Sequence, residues 1–129
     1  MKLGRQFLSF AVVGAIGFVV DVAVLYLVAP LLGWYGARVL SFLAAATATW
    51  ALNRRYTFRR SEASVLREYL GYLVTMLGGA VVNYGAYVLV LHWATGPWVP
   101  AAGVALGSCA GLVVNFLSAR YLVFKPPRP

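Results

Sequence analysis

Asp21 stands alone in an apolar stretch: from Phe7 to Leu32 there is no other Asp, Glu, Lys or Arg. An acid at the centre of a membrane-spanning helix costs roughly 2.5–3.5 kcal/mol on insertion scales, and each surrounding Leu, Ile, Val or Phe returns up to about 0.3–0.6 kcal/mol. The segment can therefore insert with its acid in place, yet nothing in lipid favours keeping it. An intramembrane acid points to a bundle interior or a wet cavity, where it can hold a ligand or exchange a proton. The plainer alternative is a structural hydrogen bond to Asn83 or a neighbouring carbonyl.

A second group combines Asn53, Arg54 and Arg55 with Asn115 and Arg120. The planar fork of arginine suits bidentate binding of phosphate. Arginines at a cytoplasmic face are also expected for topology and for attracting anionic lipid headgroups, which is enough for Arg59 and Arg60. For Arg54, Arg55 and Arg120, beside paired asparagines and aromatics, both readings stand. His92 reads as an interfacial residue and Cys109 as packing. Glu62 and Glu68, among arginines, read as solvated ion-pair partners. The chain has three acids and offers no Ser/His/Asp set, metal-ligand spacing or glycine-rich phosphate loop, so neither an enzyme nor a cofactor is expected.

The elements that must hold these residues follow from composition. Of 129 residues, 62% are hydrophobic and 11% charged, with mean hydropathy +0.80. Soluble domains hold about 45–50% apolar and about 25% charged residues, so the chain is read as an all-α integral membrane protein. One cysteine excludes a disulfide scaffold. A net charge of +8 would suit nucleic acid, but the basic residues flank apolar blocks, so no nucleic-acid partner is expected. A spanning helix needs roughly 20 apolar residues. The pattern predicts four, near 6–32, 35–54, 66–93 and 98–120, in a single membrane domain over 1–129. Residues 94–100 break the charge-free stretch from Tyr69 to Ala119, and Arg38 lies close enough to the start of its helix to snorkel to the surface. The first span is longer than a signal-peptide core and lacks a small-x-small cleavage site, so it is expected to be retained.

Lys2, Arg5, Arg54, Arg55, Arg59, Arg60, Arg67, Arg120, Lys125 and Arg128 all fall on one side of these helices, and Arg38 alone on the other. The positive-inside rule then puts both termini in the cytoplasm. Trp34, Tyr35 and Trp98 would mark the outer interface.

The two halves align without a gap from Phe7–Asn53 to Tyr69–Asn115, pairing Gly17 with Gly79, Asp21 with Asn83 and Asn53 with Asn115. The repeats, approximately 7–58 and 69–124, would be related by an axis along the membrane normal, an arrangement that places substrate sites at the repeat interface. Gly103, Gly107, Gly111 and Asn115 recur every four residues, opposite Ser41, Ala45, Thr49 and Asn53 in the other half. Such spacing predicts a helix–helix seam that turns Asn53 and Asn115 inward, as Gly17 and Gly79 do for Asp21 and Asn83.

Phe10-Ala11-Val12-Val13-Gly14 with Asp21, then Asn53-Arg54-Arg55-Tyr56-Thr57-Phe58, then Asn115-Phe116 with Arg120-Tyr121-Leu122-Val123-Phe124, resembles the GtrA-like family of four-helix bacterial and archaeal membrane proteins. The resemblance spans roughly Phe7 to Lys125. It implies a cytoplasmic-membrane protein of cell-surface polysaccharide synthesis that flips a polyprenyl-phosphate-linked monosaccharide to the outer leaflet, with a membrane glycosyltransferase as partner. Asp21, Asn53, Arg54, Asn115 and Arg120 match the family's polar motif positions. On that basis Arg54, Arg55 and Arg120 would gather the phosphate, and the sugar would pass Asn53, Asn115, Asp21 and Asn83. Four helices are few to enclose such a headgroup, so a laterally open groove or a homodimer is expected. A non-transporting glycosyltransferase scaffold and a small cation/proton antiporter are the rival readings.

Overall fold

The computed structural model describes residues 2–58, 61 and 63–124, without the side chains at 34, 35, 100, 101 and 104. Arg59, Arg60, Glu62, Lys125 and Arg128, and the rings of Trp34 and Tyr35, lie outside the described residues.

Among the described residues the fold is all helical. Helix α1 runs Leu3–Tyr56 but breaks at Gly33, where φ is 75° and ψ 168°. Pro30 has no N–H to continue the ladder, and Gly33 adopts a left-handed φ that a side chain would resist. The break makes a hairpin of two arms, residues 3–32 and 34–56. Helix α2 (Val65–Trp93) starts at Ser64, whose hydroxyl accepts from the Arg67 N–H. Gly96, at φ 133°, turns the chain into α3 (Val99–Ser118). A π-helical turn, Ala119–Val123, then closes with Phe124 N–H donating to the Ala119 carbonyl at 2.7 Å.

These elements lie close to the four expected helices. Leu3–Gly33, Val65–Trp93 and Ala105–Val123 are long and apolar enough to span a bilayer. The 34–56 arm, about 34 Å long at 1.5 Å per residue, is not among them, because Arg38, Ser41, Thr47, Thr49 and Asn53 dilute its apolar content. Its polarity fits its surroundings: the largest fully buried side chains are Tyr72, Asn53 and Ser41, while Leu27, Leu31, Val81 and Trp93 are exposed. Polar side chains kept inside and apolar ones outside are the arrangement that lipid demands. The protein is a multi-pass membrane protein.

Each hairpin closes on small residues. A Cβ added to Gly17 would collide with Thr49, and one added to Gly79 with Asn115. At Gly107 it would meet the Asn83 backbone carbonyl at 2.5 Å, at Gly111 the Gly79 carbonyl at 3.1 Å, and at Gly103 the Tyr87 ring at 2.9 Å. The carbonyl contacts leave no flexible neighbour to yield. Gly107→Ala should therefore cost about 1–3 kcal/mol by overpacking, whereas Gly85→Ala, with nothing within 4 Å of its new Cβ, should cost nothing. Thermal unfolding of the two variants in one detergent checks this, and equal stability would remove the seam's importance.

The two hairpins meet at the end that carries the N-terminus, on an aromatic floor. Phe7, Phe10 and Phe58 pack on Phe116 with centroids 5.2, 5.7 and 5.9 Å apart. Phe10 and Phe58 lie 6.0 Å apart and Tyr72 and Phe124 6.2 Å apart, and Phe58 stacks on Phe124 at 5.1 Å. Thr47 and Tyr69 hydroxyls share a hydrogen bond at 2.6 Å nearby.

Candidate functional site

Beyond this floor a cleft of about 460 Å³ separates the hairpins, within the ~300–1,000 Å³ of small-molecule sites. Every arm contributes: Gly14, Gly17 and Asp21 from the first, Arg38 and Thr49 from the second, Gly79 and Asn83 from α2, and Ser108, Gly111 and Asn115 from α3. The small residues that close each hairpin also open this space. Six polar side chains consequently face one cavity inside a membrane bundle: Asp21, Arg38, Thr49, Asn83, Ser108 and Asn115. The Asn115 Oδ1 atom is buried with no hydrogen-bond partner among the described residues.

Asp21, Asn83 and Asn115 are the sequence-derived candidates that line the cleft. Gly17, Gly79 and Gly111 line it too, while Gly103 and Gly107 stay within the α2–α3 seam. The partner of Asp21 is neither Asn83 nor a carbonyl. Arg38 Nη1 donates to Asp21 Oδ1 at 2.5 Å and to Ser41 Oγ at 3.1 Å. The expectation that Arg38 snorkels to the surface is thus corrected: its long stem carries the charge inward to the acid. Sequence reasoning missed Arg38 as a site residue, although its position as the lone base away from the others was the available signal.

Asn53 does not line the cleft. It is 1% exposed beneath it, where Nδ2 donates to the Tyr72 hydroxyl at 3.0 Å. Tyr72 in turn donates to Thr49 Oγ1 at 3.0 Å, linking the floor to a cleft-lining residue. Tyr72→Phe strands the Asn53 amide and breaks both bonds, so it should cost about 1–3 kcal/mol. A melting temperature unchanged from wild type in detergent would show that the network contributes nothing.

The three candidate arginines also lie around the floor, each with a different partner. Arg54 Nε donates to Glu68 Oε1 at 2.8 Å, and the same oxygen accepts from Trp50 Nε1 at 3.1 Å. Glu68 Oε2 accepts the Ser61 N–H at 3.0 Å. The Glu68 side chain is 0% exposed, so the expected solvated ion pair is corrected to a buried one. Arg55 is exposed, bonded to Tyr56 Oη at 3.2 Å and lying over that ring. Arg120 Nη1 donates to Gln6 Oε1 at 2.5 Å while its Nε is buried without a partner among the described residues. None of the three lines the cleft. His92 is exposed at the end of α2. Cys109, read as packing, is exposed along an outer apolar groove with Trp93 and Trp98.

A family model described as GtrA/DPMS, transmembrane domain, matches residues 9–124. No curated protein matches the chain.

Proposed function

The chain belongs to the GtrA/DPMS transmembrane-domain family, and from that premise we propose that it moves a polyprenyl-phosphate-linked monosaccharide across the membrane, from the cytoplasmic to the outer leaflet. The observation that carries this reading is the polar cleft between two hairpins whose outer faces are apolar. A lipid-linked sugar must keep its isoprenoid tail in hydrocarbon while its hydroxyls and phosphate cross. Each polar group left unpaired in lipid costs several kcal/mol. Asn83, Asn115, Thr49 and Ser108 offer amide and hydroxyl partners along the route, and the two charged residues sit within it.

The basic end faces the cytoplasm under the positive-inside rule, which makes both termini cytoplasmic in a bacterial or archaeal inner membrane. There the exposed Arg55 and Arg67 meet the anionic headgroup first. The chain carries substrate without chemical conversion, so it is a transporter rather than an enzyme. A membrane glycosyltransferase supplies the lipid-linked sugar, and a second copy of the chain can complete the wall of an open cleft.

Reconstitution into liposomes with a polyprenyl-phosphate-linked glucose tests this. Periodate or an impermeant glycosidase added outside should reach lipid initially confined to the inner leaflet, at a rate well above that of empty liposomes. Rates equal to empty liposomes across several sugars, with a known flippase active in parallel, would pass the function to a glycosyltransferase scaffold.

A further inference from the structure

Among the described residues lining the cleft, Arg38 and Asp21 are the only charged ones. Ser41, fully buried, holds the arginine from both ends: its hydroxyl donates to the Arg38 carbonyl at 3.0 Å and accepts from Nη1 at 3.1 Å. Among the described residues Nη1 alone is engaged, and the Arg38 side chain remains 56% exposed. A guanidinium has five donors in a planar fork, so most of its capacity is free for a second anion. Two of the arginines at the floor are less available, Arg54 being held by the buried Glu68 and Arg120 by Gln6.

Resting on the lipid-linked-sugar reading, we propose that Arg38 is the phosphate-binding cation of the cleft, and that Asp21 is the counter-ion which the substrate's phosphodiester displaces. Charge balance supplies the coupling. The empty cleft holds one positive and one negative charge, with no net charge. A phosphodiester monoanion on Arg38 would leave a net negative charge in a low-dielectric space. A proton taken from water by the Asp21 carboxylate restores neutrality, and that proton leaves when the phosphodiester does. No covalent bond of the substrate is made or broken. From the other walls Asp21 and Arg38 are faced by Asn83 on α2 and Ser108 on α3, with Tyr84 and Tyr87 in the adjoining recess.

Binding to the full chain in nanodiscs tests the assignment, with citronellyl-phosphoglucose as probe and the neutral citronellyl glucoside as its phosphate-free control. Arg38→Gln should weaken the phosphodiester at least about tenfold, as expected for a charge-assisted hydrogen bond, and leave the glucoside unchanged. Wild-type affinity should rise as pH falls, by up to about tenfold per unit where a proton is taken up on binding. Asp21→Asn should bind at least as tightly as wild type and lose that slope. Arg38→Gln binding like wild type, or Asp21→Asn keeping the slope, would overturn the proposal while leaving the transport reading intact. Should wild type neither bind the probe nor translocate any lipid-linked sugar, the transport reading falls and takes the proposal with it.

Discussion

Arg54→Ala should lose about 3–5 kcal/mol of stability, the largest structural penalty expected of a single substitution in this chain. Removing one partner of a buried ion pair leaves the other as an uncompensated charge. Here the survivor is Glu68, whose side chain is wholly buried. The remaining donors, Trp50 Nε1 and the Ser61 N–H, are neutral and cannot replace a guanidinium. The substitution also removes the cation that lies 5.8 Å from the Trp50 ring centroid. Denaturant unfolding of wild type, Arg54→Ala, Glu68→Ala and the double variant closes the cycle. The double variant should be clearly more stable than the sum of the singles predicts, because it leaves no orphaned charge. Additive losses would show that the pair is not coupled.

This expectation changes how transport data on Arg54 are to be read. The sequence makes Arg54 an attractive phosphate ligand, and loss of transport in Arg54→Ala would ordinarily support that role. The buried contact with Glu68 supplies a second cause for the same loss, since the pair ties the 34–56 arm to the start of α2. Activity of this variant is informative only after correction for folded protein.

The helices were legible because their information is local and redundant. Apolar runs of spanning length and the Gly96-Pro97 turn each act within a few residues. Several residues lining the cleft were conspicuous for a related reason: a lone acid, or an asparagine among glycines, stands out against an apolar background. The Arg38–Asp21 pair was hidden by depth. Asp21 lies twelve residues before the Gly33 break and Arg38 five after it, which at 1.5 Å per residue puts their backbones about 10 Å apart along the bundle. Only the reach of an arginine stem closes that gap, and sequence spacing does not report reach. Glu68 misled for the opposite reason. Its neighbours in sequence are basic and polar, but the fold lays Trp50 and Arg54 over it from the other hairpin.

Gly14→Leu is the substitution expected to separate transport from every scaffolding role, lowering translocation to the level of empty liposomes while the protein stays folded. Gly14 lines the cleft, yet a Cβ built on it meets nothing within 4 Å. A leucine there enters space that only substrate would need, and side chains on a helix lean toward its N-terminus, here toward the floor of the cleft. Replacing a helical glycine should hold or slightly raise stability, by about 0.5–1 kcal/mol. Gly85→Leu is the matched control: its Cβ is equally unobstructed, but it lies on α2 outside the cleft lining. The pair therefore differs in whether the new side chain obstructs the cleft, not in helix propensity or packing. Transport lost in Gly14→Leu and kept in Gly85→Leu, at equal melting temperatures, would identify the cleft as the path. Equal transport in both would mean that the sugar crosses elsewhere. A scaffold that only holds a glycosyltransferase has no use for an empty cleft, so it predicts normal glycosylation in cells from both variants.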